Sequence, residues 1–353
     1  MSKTIIGLLA FGAACGPTSH HGNFGNGSGD VDAAPGGLTI DAPACATSVV
    51  TAEKVALDIY VMLDQSGSMD DSVTGGTKWT TVTSSLNTFL GQPGLDGVSV
   101  GLGYFGVPDA TGFGDSCNAA DYKVPDVEIA PLPQVATQIS SSMSQHSPTT
   151  ATPTSAALQG ALDHAKDWAG SHPGDATVVI LATDGDPSEC QTDISQIQAI
   201  AAAGFNGTPK IPTYVIGVGS SLSNLNAIAS SGGSTSAFLV DTGGNVNQQF
   251  LQAMNDIRHA ALGCTYSIPM PTDGSMINYN EVNIIYQPGN GGAPVTLPYV
   301  MDKASCPATG NGWYYDDPNA PTQIVLCDSS CAGIEVDETG SVNITLGCST
   351  VIP

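Results

Sequence analysis

From Val55 to Leu262, apolar runs of strand length alternate with segments of helical period. No other feature constrains the fold as strongly. Leu57–Leu63 (LDIYVML), Val98–Phe105 (VSVGLGYF) and Thr177–Thr183 (TVVILAT) are nearly continuous apolar runs. Such runs suit strands covered on both faces. Val127–Ala130, Ile211–Val218 and Ala237–Val240 extend the series. Between the runs, Trp79–Leu90, Gln134–Gln145, Thr154–Trp168, Ile194–Ala203, Leu222–Ala229 and Val246–Leu262 read as helices. The third of these carries Leu158, Ala161, Leu162, Ala165 and Trp168 on one stripe. The alternation predicts an α/β fold, a doubly wound and mainly parallel sheet of Rossmann-like type with helices on both faces. Ligands of such sheets bind outside the carboxyl ends of the strands. The loops after Leu63, near Thr152 and after Thr183 are therefore the places to look.

After Cys264 the helical period stops. Tyr266–Ile268, Glu281–Gln287, Pro294–Val300, Gln323–Cys327, Gly333–Val336 and Ser341–Leu346 are short strand-like runs between Gly, Pro, Asn and Asp turns. They predict a small, disulfide-bonded all-β module over residues 265–353, behind an α/β domain over 45–264. Asp316-Asp317, ahead of Pro318, reads as a turn, with a calcium role as the alternative.

The N-terminus has a different character. Lys3 precedes an apolar run, Ile5 to Ala14, that ends at Cys15. The run is shorter than the ~20 residues a membrane-spanning helix needs, so residues 1–15 read as a signal peptide. The stretch GAAC followed by Gly16 resembles the lipoprotein box of bacterial signal peptides, although Gly12 stands where that box usually has Leu. The resemblance implies lipidation of Cys15 and anchoring in the bacterial cell envelope outside the cytoplasm. Cleavage nearby and secretion is the alternative. Residues 16–44 are rich in Gly, Ser, Asn, Asp and Pro and lack bulky apolar residues, which predicts a flexible tether.

Acidic residues number 32 against 8 Lys and Arg, a formal net charge of -24. That charge disfavours nucleic acid as a partner and limits membrane contact to the N-terminal lipid. The cysteines after Cys15 are Cys45, Cys117, Cys190, Cys264, Cys306, Cys327, Cys331 and Cys348. Their spacing does not suit zinc, so all eight are expected in disulfides formed in an oxidising compartment.

The loop after the first long run reads Asp64-Gln65-Ser66-Gly67-Ser68-Met69, and the loop after Thr183 reads Asp184-Gly185-Asp186-Pro187. Carboxylates and hydroxyls at the ends of buried strands are hard oxygen donors suited to Mg²⁺, Mn²⁺ or Ca²⁺. Each Ser or Asp alone is better explained as a helix cap. Together they resemble the von Willebrand factor type A (VWA) family and its metal-ion-dependent adhesion site, which joins D-x-S-x-S, a later Thr and an Asp after the fourth strand. The resemblance extends through Val215-Ile216-Gly217-Val218-Gly219 and covers about residues 55–263. It implies a cation ligated by Ser66, Ser68 and Thr152, with Asp64 and Asp184 acting directly or through water. It also implies a position open to an acidic side chain of a protein partner. Thr152 is the least secure member, because Thr150 and Ala151 replace the two glycines many relatives carry, and Thr150 and Thr154 compete with it.

Relatives that join the two ends of the domain by a bridge make Cys45–Cys264 the first expected pair, with Cys264–Cys348 as the rival. Cys117 and Cys190 both fall on the ligand face and are expected to pair. Cys306, Cys327, Cys331 and Cys348 would then pair within the β module.

Enzyme classes find less support. No G-x-S-x-G elbow is present, and Gly217-Val218-Gly219 lacks the rest of a dinucleotide fingerprint. His146, His164, His172 and His259 read as solvated. Binding or adhesion, with no catalysis, is the expected function. The alternatives are a structural surface protein that does not use the site, a subunit of a larger envelope complex, and an intracellular partner of an ATPase. The signal-like N-terminus and the cysteines oppose the last of these.

Overall fold

The computed structural model describes residues 48–353, apart from 53, 113, 220, 221, 223, 263, 270–275, 336, 338 and 339. Cys15 and Cys45 lie outside the described residues.

In chain order the first part holds β1 (Ser48–Thr51), β2 (Leu57–Leu63), β3 (Ser72–Val73), β4 (Gly76–Thr77), α1 (Lys78–Leu90) and β5 (Val98–Tyr104). It continues with α2 (Ala119–Tyr122), β6 (Val127–Pro131), α3 (Ala136–Gln145), α4 (Thr154–Ser171) and β7 (Ala176–Thr183). Then come α5 (Ile194–Phe205), β8 (Thr213–Val218), α6 (Asn224–Ser231), β9 (Phe238–Val240) and α7 (Val246–Leu262). A six-stranded sheet runs β6-β5-β2-β7-β8-β9, parallel throughout except for the edge strand β6.

The period of two within each strand builds two cores. Leu57, Ile59, Val61 and Leu63 face α1, α3 and α7, whereas Tyr60 and Met62 face α4, α5 and α6. In β7, Val178, Ile180 and Ala182 take the first side, and Val179 and Leu181 the second. All seven residues of β2 are buried, which is why the run is continuous rather than alternating. Gly103 is required beside it: a Cβ there would lie 2.4 Å from the Tyr60 hydroxyl oxygen.

The remaining elements are β10 (Thr265–Ser267), β11 (Val282–Gln287), β12 (Val295–Leu297), β13 (Trp313–Tyr315), β14 (Gln323–Leu326), α8 (Asp328–Glu335) and β15 (Ser341–Leu346). They form two antiparallel sheets, β1-β15-β11-β12 and β10-β14-β13. Tyr266, Ile284, Leu297, Trp313, Ile324 and Ile344 fill the core around which these strands pack. β1 precedes the α/β elements in sequence yet pairs with β15, Ser48 opposite Leu346.

The structure corrects two expectations here. Gly333 belongs to the helix α8 rather than to a strand, because Asp328-Ser329-Ser330 opens a turn whose backbone bonds return to Cys327. The Cys45–Cys264 bridge and its rival Cys264–Cys348 are both replaced by Cys264–Cys331, since α8 carries Cys331 onto the end of the α/β domain. The expected Cys117–Cys190 bridge is present, Cys306 pairs with Cys327 inside the module, and Cys348 is also disulfide-bonded.

Candidate metal centre

β2 and β7 lie side by side, and the chain leaves them in opposite directions, to β5 on one side and β8 on the other. Their carboxyl ends therefore flank a topological switch point, the place where open α/β sheets bind ligands. Asp64 follows β2 directly and its N–H donates to the Ala182 carbonyl at 2.8 Å, so the two strand ends are held together. The first residue beyond each strand is a carboxylate, Asp64 and Asp184.

Asp64 is fully buried. Its Oδ1 accepts from the Ser66 N–H at 2.7 Å, and its Oδ2 from the Thr183 hydroxyl at 2.6 Å. These bonds turn the loop so that the next two serines point toward Asp184. The Ser68 hydroxyl donates to Asp184 Oδ1 at 2.8 Å and the Ser66 hydroxyl to the same atom at 3.4 Å, with the two hydroxyls 3.1 Å apart. Burial pushes the Asp64 carboxyl up to about 6, against the Thr183 and Ser66 hydrogen bonds that hold it down.

The third loop is tied to the first by backbone bonds. Gly67 N–H donates to the Thr150 carbonyl at 2.9 Å, and Thr149 N–H to the Gln65 carbonyl at 2.9 Å. Thr152 exchanges bonds with Ser188: its N–H donates to the Ser188 hydroxyl and its carbonyl accepts from the Ser188 N–H. The three candidate threonines now separate. The Thr150 hydroxyl donates to the Ala151 carbonyl, and that of Thr154 faces the Thr152 carbonyl at 3.5 Å. Thr152 is 5% exposed, yet its hydroxyl makes no hydrogen bond among the described residues, to the serine–aspartate cluster or elsewhere. Cys117–Cys190 joins the loop after β5 to the loop after β7, and Asp115 accepts from the Ala151 N–H at 2.7 Å. The loops after β2, β5 and β7 and the loop before α4 are thereby cross-linked.

Two residues escaped the sequence reading. Lys78, the first residue of α1, donates to Asp184 Oδ2 at 2.7 Å and to Asp71 Oδ2 at 3.0 Å. Burial works against its charge, but the Asp184 and Asp71 carboxylates outweigh it and raise its pKa. A signal was available in its position, because a lysine at a helix N-terminus opposes the helix dipole and calls for an acidic partner. His146 is not simply solvated. Its Nδ1 lies 2.9 Å from Gln65 Oε1, its Nε2 lies 3.4 Å from Asp126, and its ring stacks on Tyr104 at 3.7 Å. It fastens the Asp64–Met69 loop from behind. His164 is buried and its Nε2 lies 2.9 Å from Glu128 Oε1, while His172 stacks on Trp168. Asp316 and Asp317 form a turn, with their carboxylates accepting from nearby backbone N–H groups.

The donor set fits a hard divalent cation on two counts. Hydroxyl and carboxylate oxygens converge at Asp184, and the Thr152 hydroxyl has no hydrogen-bond partner among the described residues. Among the described residues, no group of three or more His, Cys, Asp or Glu side chains is placed to hold a metal ion.

The model of the von Willebrand factor type A domain matches residues 58–253, more than half of the chain. The chain belongs to the VWA family. No curated protein matches it in sequence. Among solved structures, the VWA domain is similar to BatB of Bacteroides thetaiotaomicron, at 17% identity and TM-score 0.39 over 57% of this chain and 98% of that one. A manganese-loaded TRAP protein of Plasmodium vivax is similar at 14% identity and TM-score 0.39, over 80% and 96%. Proximal thread matrix protein 1 of the mussel byssus, solved with zinc in its MIDAS motif, is similar at 14% identity and TM-score 0.37, over 62% and 50%.

Proposed function

We propose that this VWA chain is an extracytoplasmic binding or adhesion protein, tethered to the bacterial envelope through Cys15, that engages a protein partner at the Asp64–Asp184 centre. The observation that carries the proposal is the convergence of the Ser66 and Ser68 hydroxyls on Asp184. Ser66, Ser68 and Thr152 would hold Mg²⁺, Mn²⁺ or Ca²⁺ by neutral oxygens. Asp64, already committed to Thr183 and the Ser66 N–H, would orient the loop and act through water. The bound ion supplies a positive centre to which an Asp or Glu of the partner can bind. Binding is favoured over catalysis. The Ser66 and Ser68 hydroxyls both address one carboxylate, Asp184, which supports a ligand set for a cation. The disulfides support an oxidising compartment.

Calorimetry on chelator-stripped protein tests the site. Wild type should bind one Mg²⁺ or Mn²⁺, and Asp64→Ala should bind at least ~10-fold more weakly. Equal binding by both rejects the assignment, and silence in wild type favours a structural protein that does not use the site. Mass spectrometry of the mature N-terminus tests the tether: diacylglyceryl-modified Cys15 is expected, and an unmodified terminus beyond it refutes lipidation.

A further inference from the structure

The chain has 8 cationic side chains against 32 acidic ones, and one of the eight reaches the site. Asp184 is closed to solvent and the Lys78 side chain nearly so, at 0% and 14% exposure, while Asp71 stands in the open at 65%. Local structure holds the lysine there. β3 and β4 form a tight hairpin whose turn needs Gly75 and Gly76, at φ +98° and +152°, and Lys78 N–H closes it by donating to the Asp71 carbonyl at 3.0 Å. The hairpin brings Asp71 and Lys78 together and delivers the ammonium to Asp184. A cation at the first position of α1 opposes the helix dipole, so the two carboxylates must hold it.

We propose that Lys78 is a resident cation of the metal centre, sharing Asp184 with the divalent ion and weakening that ion's binding. The inference rests on the reading of the Asp64–Asp184 cluster as a metal site. Asp184 presents Oδ1 to the two serines and Oδ2 to Lys78, so the lysine and the serines that would hold the ion address opposite oxygens of one carboxylate. With the ion absent, Lys78 neutralises a buried carboxylate that would otherwise be costly to keep unpaired. With the ion bound, Lys78 draws off part of the charge of Asp184. The ion is held less tightly and stays under-neutralised, which strengthens its pull on a partner's carboxylate. Lys78 thus sets how far the site depends on an anionic partner to retain its metal.

The test is Mn²⁺ calorimetry and thermal melting on chelator-stripped wild type, Lys78→Met, Lys78→Gln, Lys78→Arg and Asp64→Ala. Lys78→Met and Lys78→Gln should bind Mn²⁺ at least ~5-fold more tightly than wild type, because a like charge has left the site. Both should melt lower than wild type without metal and recover most of the difference at saturating Mn²⁺. Lys78→Arg keeps the charge and should bind Mn²⁺ no more tightly than wild type. Unchanged or weaker Mn²⁺ binding in a folded Lys78→Met or Lys78→Gln protein overturns the proposal. Binding that appears only in the lysine variants and not in wild type supports it. Silence in every protein overturns both the proposal and the metal-site reading, whereas loss in Asp64→Ala with no gain in the lysine variants overturns the proposal alone.

Discussion

The VWA domain buries its six-stranded sheet between two helical layers, and the disulfide described within it, Cys117–Cys190, joins loops at the ligand edge rather than core elements. The C-terminal module packs two small sheets on a single core, and its bridges lie in or against that core, with Cys264 and Cys327 both buried. The contrast follows from size. A large sheet covered on both faces holds itself by apolar burial, whereas a module of this size needs cross-links to offset chain entropy. The same chemical device therefore does different work in the two regions, shaping a site in one and closing a fold in the other.

Removing the bridge between Cys264 and Cys331 tests this contrast most strongly. The double variant Cys264→Ala/Cys331→Ala should lose about 2–4 kcal/mol. The loss should be local. Hydrogen exchange should quicken in β11, β14 and β15 while β2 and β7 stay protected. Equal acceleration in β2 and β7 would show that the two regions unfold as one unit and that the division drawn here is wrong.

A smaller effect sharpens the VWA side. Asp58 is 2% exposed in β2, and burial raises its pKa despite the hydrogen bond it accepts from Trp168 Nε1 at 2.8 Å. A carboxyl whose folded pKa is raised stabilises the fold fully below its unfolded value, and that contribution is lost as pH rises through the folded value. Asp58→Asn keeps an acceptor for Trp168 and removes the charge. It should gain up to about 1 kcal/mol, or ~2–4 °C in Tm, at pH 7 and nothing at pH 3. Equal Tm for the two proteins at pH 7 contradicts the assigned burial cost.

The regions also differ in how much of them is legible in sequence. The strands of the VWA sheet declare themselves because burial on both faces forces continuous apolar runs, and their ends place Asp64 and Asp184 without further information. The module's elements are short and its pairings are distant. Nothing local tells β1 to seek β15, and an eight-residue segment such as DSSCAGIE carries too little period to separate α8 from a strand. The Cys264–Cys331 pair depends on that helix and was hidden with it. In the site, the serines and aspartates are readable as a motif. The position of Lys78 at a helix start calls for an acidic partner without naming Asp184, and His146 gives no signal, because their contacts are set by the hairpin before α1 and by the stacking on Tyr104. Sequence does not show that the Thr150 and Thr154 hydroxyls face backbone carbonyls while that of Thr152 has no hydrogen-bond partner among the described residues.

The most direct test of the central claim is anomalous diffraction from crystals soaked in Mn²⁺. One strong peak is predicted beyond the carboxyl ends of β2 and β7, within about 2.0–2.6 Å of the Ser66, Ser68 and Thr152 hydroxyl oxygens. A peak elsewhere on this acidic surface, or none at a Mn²⁺ concentration that saturates the protein in solution, would contradict it.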